Sequence, residues 1–133
     1  MASYEGGQDI RERTFQLAVR VVNLCKYLDD QPGIARVLAH QLIRSGTSVG
    51  ANLEEAKAGT SRADFIAKCD IALKESRETH YWLRLLAATD LAAQARLTDL
   101  LSECDQVSRI LGAIVASGSK NRKPPPHSGN GTN

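Results

Sequence analysis

The sequence predicts an all-α fold, namely an antiparallel up-down-up-down four-helix bundle with a disordered C-terminal tail. Apolar residues recur at three- and four-residue intervals in four separate segments, and no segment carries a strand pattern. Apolar residues make up 42% of the chain but aromatic residues only 5%, so the core must consist mainly of Leu, Ile, Val and Ala. A chain of 133 residues has room for one such domain.

The first predicted helix, from about Asp9 to Asp29, is apolar over more of its surface than one bundle core requires. Two neighbouring stripes together cover roughly 220° of this helix. One stripe contains Phe15 and Val22, and we expect it to face the core. The surplus predicts a subunit interface, formed by the second stripe of Leu17, Val21, Leu24 and Leu28.

The second predicted helix follows a turn at Gln31-Pro32-Gly33, because Pro and Gly interrupt helices. Its middle, residues 45–51, is rich in small residues. Gly46 and Gly50 each lower helix propensity by roughly 1 kcal/mol relative to Ala. We therefore expect a neighbouring helix to approach closely there.

The third predicted helix begins after Ser61, which is typical of an N-cap, with Asp64 three residues later and with Gly59 as the C-cap of the preceding helix. It runs to about Ala88. Trp82 and Leu85 lie off its core stripe, and we expect them to extend the subunit interface.

The fourth predicted helix begins between Asp90 and Thr98 and ends near Ala116. The sequence after it is polar and rich in Gly and Pro, so it cannot compensate for the entropy of ordering. The predicted organisation is a flexible N-terminus at 1–8, a bundle at 9–116 and a disordered tail at 117–133 that is dispensable for folding.

The composition also bounds the class of protein. The three cysteines are scattered and have no zinc-binding spacing, which indicates reduced, buried thiols in a cytoplasmic protein. No signal peptide and no run of 18 apolar residues occurs, so we expect no secretion and no membrane partner.

The charge pattern offers one local candidate for nucleic-acid binding. Three of the 17 Lys and Arg residues lie in the tail, whereas all 15 Asp and Glu residues precede it, so the body is nearly neutral. Binding through bulk charge is therefore not expected. Arg36, His40 and Arg44 stack at four-residue intervals on one helix face and could contact phosphates.

Motifs for catalysis are missing: the sequence has no P-loop, GxGxxG, HExxH or GxSxG pattern. We expect no enzyme activity, no cofactor and no metal, since Glu78 precedes His80 by two positions rather than the three of di-iron bundles. Asn52 is predicted to make a buried polar contact that fixes register. Glu54, Glu55, Glu75 and Glu78 could pair with Arg62, Arg77 or Arg84 across the second and third helices and so set their register. A solvated salt-bridge face is the favoured interpretation of these four carboxylates.

The segment from Gln41 to Leu86 contains a distinctive set of residues, namely Arg44-Ser45, Ser48-Val49, Asn52, Glu54 or Glu55, Asp64-Phe65, Ala72-Leu73, Glu75, Glu78 and Tyr81-Trp82-Leu83. Through these residues the segment resembles a bacterial four-helix-bundle family that includes proteins encoded in intervening sequences of large-subunit ribosomal RNA genes. The resemblance implies an antiparallel bundle that forms a ring, commonly a pentamer. A related group, the accessory variability determinant of diversity-generating retroelements, binds nucleic acid and partners a reverse transcriptase.

Two functions remain open on the sequence. The first is a non-enzymatic homo-oligomeric binding module, an accessory protein that associates with RNA, with a ribonucleoprotein or with a nucleic-acid-processing protein. The second is a protein-binding scaffold with no nucleic-acid role. Salt-dependent RNA binding distinguishes them.

Overall fold

The computed structural model describes residues 2–57 and 61–121. These residues form four helices: α1 (Ala2–Asp29), α2 (Ile34–Lys57), α3 (Arg62–Ala88) and α4 (Gln94–Asn121). Consecutive helices pack against each other, and α1 also packs against α4. The predicted all-α four-helix bundle is confirmed, and no strand occurs within the two described ranges.

The helices are antiparallel, as their contacts show. A Cβ atom at Gly46 of α2 would meet Val21 of α1, and one at Gly50, further along α2, would meet the earlier residue Thr14. In each of the other neighbouring pairs, later residues of one helix likewise contact earlier residues of the next. The contacts are Ser45–Thr79 and Glu55–Lys68 for α2 and α3, and Ser76–Ser108 and Ile66–Gly118 for α3 and α4. For α1 and α4 they are Arg13–Glu103 and Tyr27–Arg96.

The core consists of Leu, Ile, Val, Ala and Cys side chains, as the composition predicts. The assignment of the two stripes on α1 is wrong, however. Leu17, Val21 and Leu28 are 0% exposed and Leu24 is 2% exposed, so all four lie inside the bundle, whereas Phe15 is 60% exposed. Because α1 packs between α2 and α4, the middle of its buried face coincides with this second stripe, which we call the leucine stripe.

Both ends of the bundle extend beyond the predicted boundaries. α1 begins at Ala2, seven residues before the predicted start at about Asp9, so residues 2–8 are part of the first helix. α4 continues to Asn121. A Cβ atom at Gly118 would lie 2.5 Å from Cδ1 of Ile66, so the chain still packs against α3 after Ser117. Residues 122–133 of the predicted tail lie outside the described residues.

The connections follow the predicted chemistry where the structure describes them. Gly33 has a φ of +82°, which suits glycine in the turn before α2. The side chain of Ser61 accepts a hydrogen bond from the backbone N–H of Asp64 at 3.0 Å, which confirms the N-cap. Gly59 lies outside the described residues. α3 ends with Asp90 at φ 59° and with the N–H of Leu91 donating to the carbonyl of Leu86, which is a Schellman arrangement.

Candidate binding surfaces

The predicted basic ladder lies on the surface of α2, but carboxylates hold both of its arginines. Arg36 donates two hydrogen bonds to the carbonyl oxygen of Asp29, at 3.2 and 3.0 Å, and its Nε lies 3.4 Å from the carboxylate of that residue. His40 is exposed between the two arginines. The Arg36 and Asp29 side chains are 57% and 58% exposed, so their ion pair is weak. Arg44 is the residue of the ladder whose charge is compensated, since two carboxylates pair with it.

Arg44 is the centre of a polar cluster that joins α2 to α3. It forms ion pairs with Glu75, at 3.5 Å, and with Glu78. Glu78 also accepts a hydrogen bond from the indole N–H of Trp82 at 2.9 Å. The ring of Trp82 meets that of Tyr81 edge-on, with centroids 5.2 Å apart. This cluster fixes the half-buried Trp82 side chain against the outer side of the α2/α3 pair.

The structural carboxylates have partners other than the arginines of α3 considered for them. Glu55 pairs with Lys68, and Glu75 and Glu78 pair with Arg44, rather than with the arginines of α3. These arginines lie on a different side of their helix. Glu54 is exposed.

Asn52 also makes a different contact from the one predicted. It donates to the carbonyl of Ser48 at 2.8 Å, within its own helix, and so does not set the register between helices.

Buried hydroxyl groups form the register contacts that the sequence interpretation missed. On one side of α3, Thr79 donates to Ser45 of α2 at 2.9 Å. On the other side, the hydroxyls of Ser76 and Ser108 lie 2.7 Å apart, and the Cys104 thiol donates to the carbonyl of Ser76 at 3.2 Å. A serine or threonine within an otherwise apolar stripe is the signal that could have identified them.

One apolar surface, the α1/α2 face, consists of Phe15, Val19, Val22 and Ile43. Phe15 is 60% exposed, while Val22 and Ile43 line a groove of about 300 Å³ between the two helices. Cys25 and Ala39 lie in the same groove. This face, rather than the leucine stripe, is the exposed apolar side of α1.

A second apolar surface, the α2/α3 face, surrounds the Arg44 cluster and consists of Ile34, Val37, Ile71, Tyr81 and Trp82. Val37 is 57% exposed and Tyr81 is 53% exposed. Val37 precedes Arg44 by two helical turns, so both lie on one stripe of α2. Trp82 and Leu85 are half-buried, and their predicted role between subunits stays a prediction.

The outer side of the α3/α4 pair is polar. A groove of about 440 Å³, the α3/α4 groove, is lined by Arg77, His80, Asp105, Ser108, Arg109 and Gly112. Nε of Arg109 lies 3.0 Å from Asp105, one turn before it on the same helix. His80 is half-buried at the edge of this groove.

The three cysteines are free and buried, as predicted. Burial raises the pKa of each thiol from 9.0 to about 11, so the reactive thiolate is suppressed at neutral pH. No group of three or more His, Cys, Asp or Glu side chains in the described part of the chain could hold a metal ion. Among the described residues, no helix combines the length and apolar character needed to cross a membrane.

Comparison with known proteins places this fold in a family. The model of a family described as 23S rRNA-intervening sequence protein matches residues 7–113. A solved structure from Bacteroides thetaiotaomicron, a protein of unknown function from the S23 ribosomal protein family, is 38% identical; the match covers 80% of this chain and 97% of that chain, with a TM-score of 0.74. No curated protein matches. The chain belongs to the 23S rRNA-intervening sequence protein family.

Proposed function

We propose that the protein is a non-enzymatic, homo-oligomeric binding module that associates with RNA in the cytoplasm. The observation that carries this proposal is the presence of two separate apolar faces on one small domain. Phe15, Val37 and Tyr81 are each more than half exposed. Clustered apolar surface of this kind is uncommon on soluble monomers and typical of interaction sites.

The two faces differ in sequence and in position, which favours head-to-tail association. An interface between two different surfaces leaves one of each free on every dimer, so assembly continues until the rotation closes a ring. A ring is also what the family resemblance implies, commonly with five copies. Each copy adds one more equivalent binding surface, and avidity then strengthens a contact that is weak in a single subunit.

The association with RNA is supported by the family description, which names 23S ribosomal RNA. The alternative is a protein-binding scaffold with no nucleic-acid role. The pairing of Arg44 with two carboxylates favours that alternative, because it reduces the free positive charge on α2.

We expect the protein to be an oligomer with a dissociation constant below about 10 μM, and substitution of either face to give monomers. Phe15→Ser removes the most exposed aromatic side chain of the α1/α2 face, and Val37→Ser alters the α2/α3 face. Light scattering measures the mass, and circular dichroism monitors helix content. Since both side chains are exposed, helix content should not change.

Mixing the two variants tests the head-to-tail arrangement directly. Each variant keeps one intact face, and these two faces are complementary, so the mixture should form dimers although each variant alone is monomeric. Ala95→Ser, which introduces the same residue on the exposed surface of α4, is the control and should keep the parent mass. A parent that is monomeric at tens of micromolar would contradict the oligomer proposal.

RNA binding is expected to weaken steeply as salt increases, since phosphate contacts release counterions. Fluorescence anisotropy of a labelled single-stranded RNA, titrated with the parent between about 50 and 200 mM salt, measures this dependence. Absence of binding at the low end of this range would favour the scaffold alternative.

A further inference from the structure

We propose that the α3/α4 groove holds the phosphate backbone of RNA. Its cationic contacts are Arg77 and Arg109 in the lining and Arg84, which lies outside the lining two turns further along α3. This inference rests on the proposed RNA association and adds the site to it. The sequence interpretation placed the contacts on α2, and the structure offers a more open cationic surface on the opposite side of the bundle.

The first argument is the balance of charge. Arg77 and Arg84 are exposed, and neither forms an ion pair with the residues that the structure describes. No acidic residue occurs three or four positions from either of them on α3, where a helical partner would have to lie. Arg109 pairs with Asp105, but their side chains are 79% and 48% exposed. Such exposed pairs are weak, and a phosphate can compete for this guanidinium.

The second argument is the shape of the groove. Gly112 supplies no side chain, and a Cβ atom built there would meet nothing within 4 Å, so a ligand can reach the backbone of α4. Ser108 adds a hydroxyl beside it. Arg77 and Arg84 lie two helical turns apart, roughly 10 Å along one stripe of α3. An extended strand can therefore contact both arginines in succession.

The third argument is that the groove stays accessible in the proposed assembly. The exposed large apolar side chains of the described residues lie on α1, α2 and α3, and none lies on α4. The two apolar faces that we assign to assembly border α2. Tyr81 of the α2/α3 face lies one turn from both Arg77 and Arg84, so a subunit docked on that face borders the α3 rim of the groove. The groove stays accessible from its α4 rim, where Arg109 and Gly112 lie away from both apolar faces.

Substitution at Gly112 tests the site without weakening the fold. Any side chain there enters open space and removes a helical glycine, so Gly112→Glu, Gly112→Gln and Gly112→Lys should all fold. Relative to Gly112→Gln, which adds the same bulk without charge, Gly112→Glu should weaken binding of labelled single-stranded RNA by about five- to tenfold at low salt. Gly112→Lys should strengthen it.

Neutralising the arginines tests the contacts themselves. Arg77→Gln and Arg84→Gln should each reduce the slope of log affinity against log salt by about 0.7, the value for one contact to a single strand. Arg20→Gln, at an exposed arginine of α1, is the control and should leave the slope unchanged.

The outcomes separate this inference from the proposed function. If the Glu, Gln and Lys variants of Gly112 bind RNA equally well, the groove is not the RNA-binding site, although the protein still binds RNA. Loss of binding in Arg36→Gln but not in Arg77→Gln also overturns this inference and moves the site to the ladder of α2. A parent that binds no RNA overturns both.

Discussion

Leu17→Ala is expected to lower the free energy of unfolding by about 2 to 5 kcal/mol, because it leaves a cavity in the core. Leu17 is 0% exposed and lies among the core side chains of α1. The loss should be the same at every protein concentration, since the cavity lies within one chain. Urea denaturation followed by circular dichroism measures it.

Phe15→Ala is the matched control, two positions earlier on the same helix. Phe15 is 60% exposed, so at concentrations where the protein is monomeric the change should remain within about 0.5 kcal/mol. At higher concentrations this variant should be less stable to urea than the parent, because an assembled parent gains stability from its partner subunits. The reverse pattern, with Leu17→Ala harmless to the monomer, would show that the leucine stripe is a subunit interface after all.

Gly46→Leu is expected to destabilise the protein by about 1 to 3 kcal/mol or more, although leucine is the better helix former. A Cβ atom at this position would lie 2.8 and 2.9 Å from the two methyl carbons of Val21. Such contacts force α1 and α2 apart, and the rest of a leucine side chain has no space at all. The predicted close approach at Gly46 is thus confirmed, and thermal and urea denaturation give the size of the effect.

Two comparisons make this experiment decisive. Gly112→Leu has the same change in helix propensity but no neighbour, so it should stabilise the protein by several tenths of a kcal/mol. Val21→Ala combined with Gly46→Ala should be more stable than the two single effects predict, because the smaller side chain removes the clash. Additive effects would mean that Val21 is not the group that excludes a side chain at Gly46.

Much of the fold could be predicted because it depends on local signals. The spacing of apolar residues, the turn at Gly33 and the cap at Ser61 each act within a few residues of the chain. The helix ends were less predictable. The first turns of α1 and the last turn of α4 carry Gly and polar residues, and for α4 a contact such as Gly118 with Ile66 appears only when two helices are brought together.

The candidate surfaces depended even more on distant contacts. Arg44 has its acidic partners on another helix, 31 and 34 positions away in the chain, and so no spacing rule along α2 could reveal that its charge is compensated. Arg77 and Arg109 come together only through the packing of α3 on α4. Because these two arginines are far apart in the sequence, the groove that they share could not be predicted from it.

The sequence by itself determined an all-α bundle, its four segments, an aliphatic core and the need for small residues where a neighbouring helix approaches α2, since periodicity and residue size act locally. Only the tertiary structure decided which stripe of α1 is buried. Both stripes are apolar, so hydrophobicity alone does not distinguish them. The choice follows from the packing of α1 against α2 and α4 together, which places Leu17 inside and leaves Phe15 exposed.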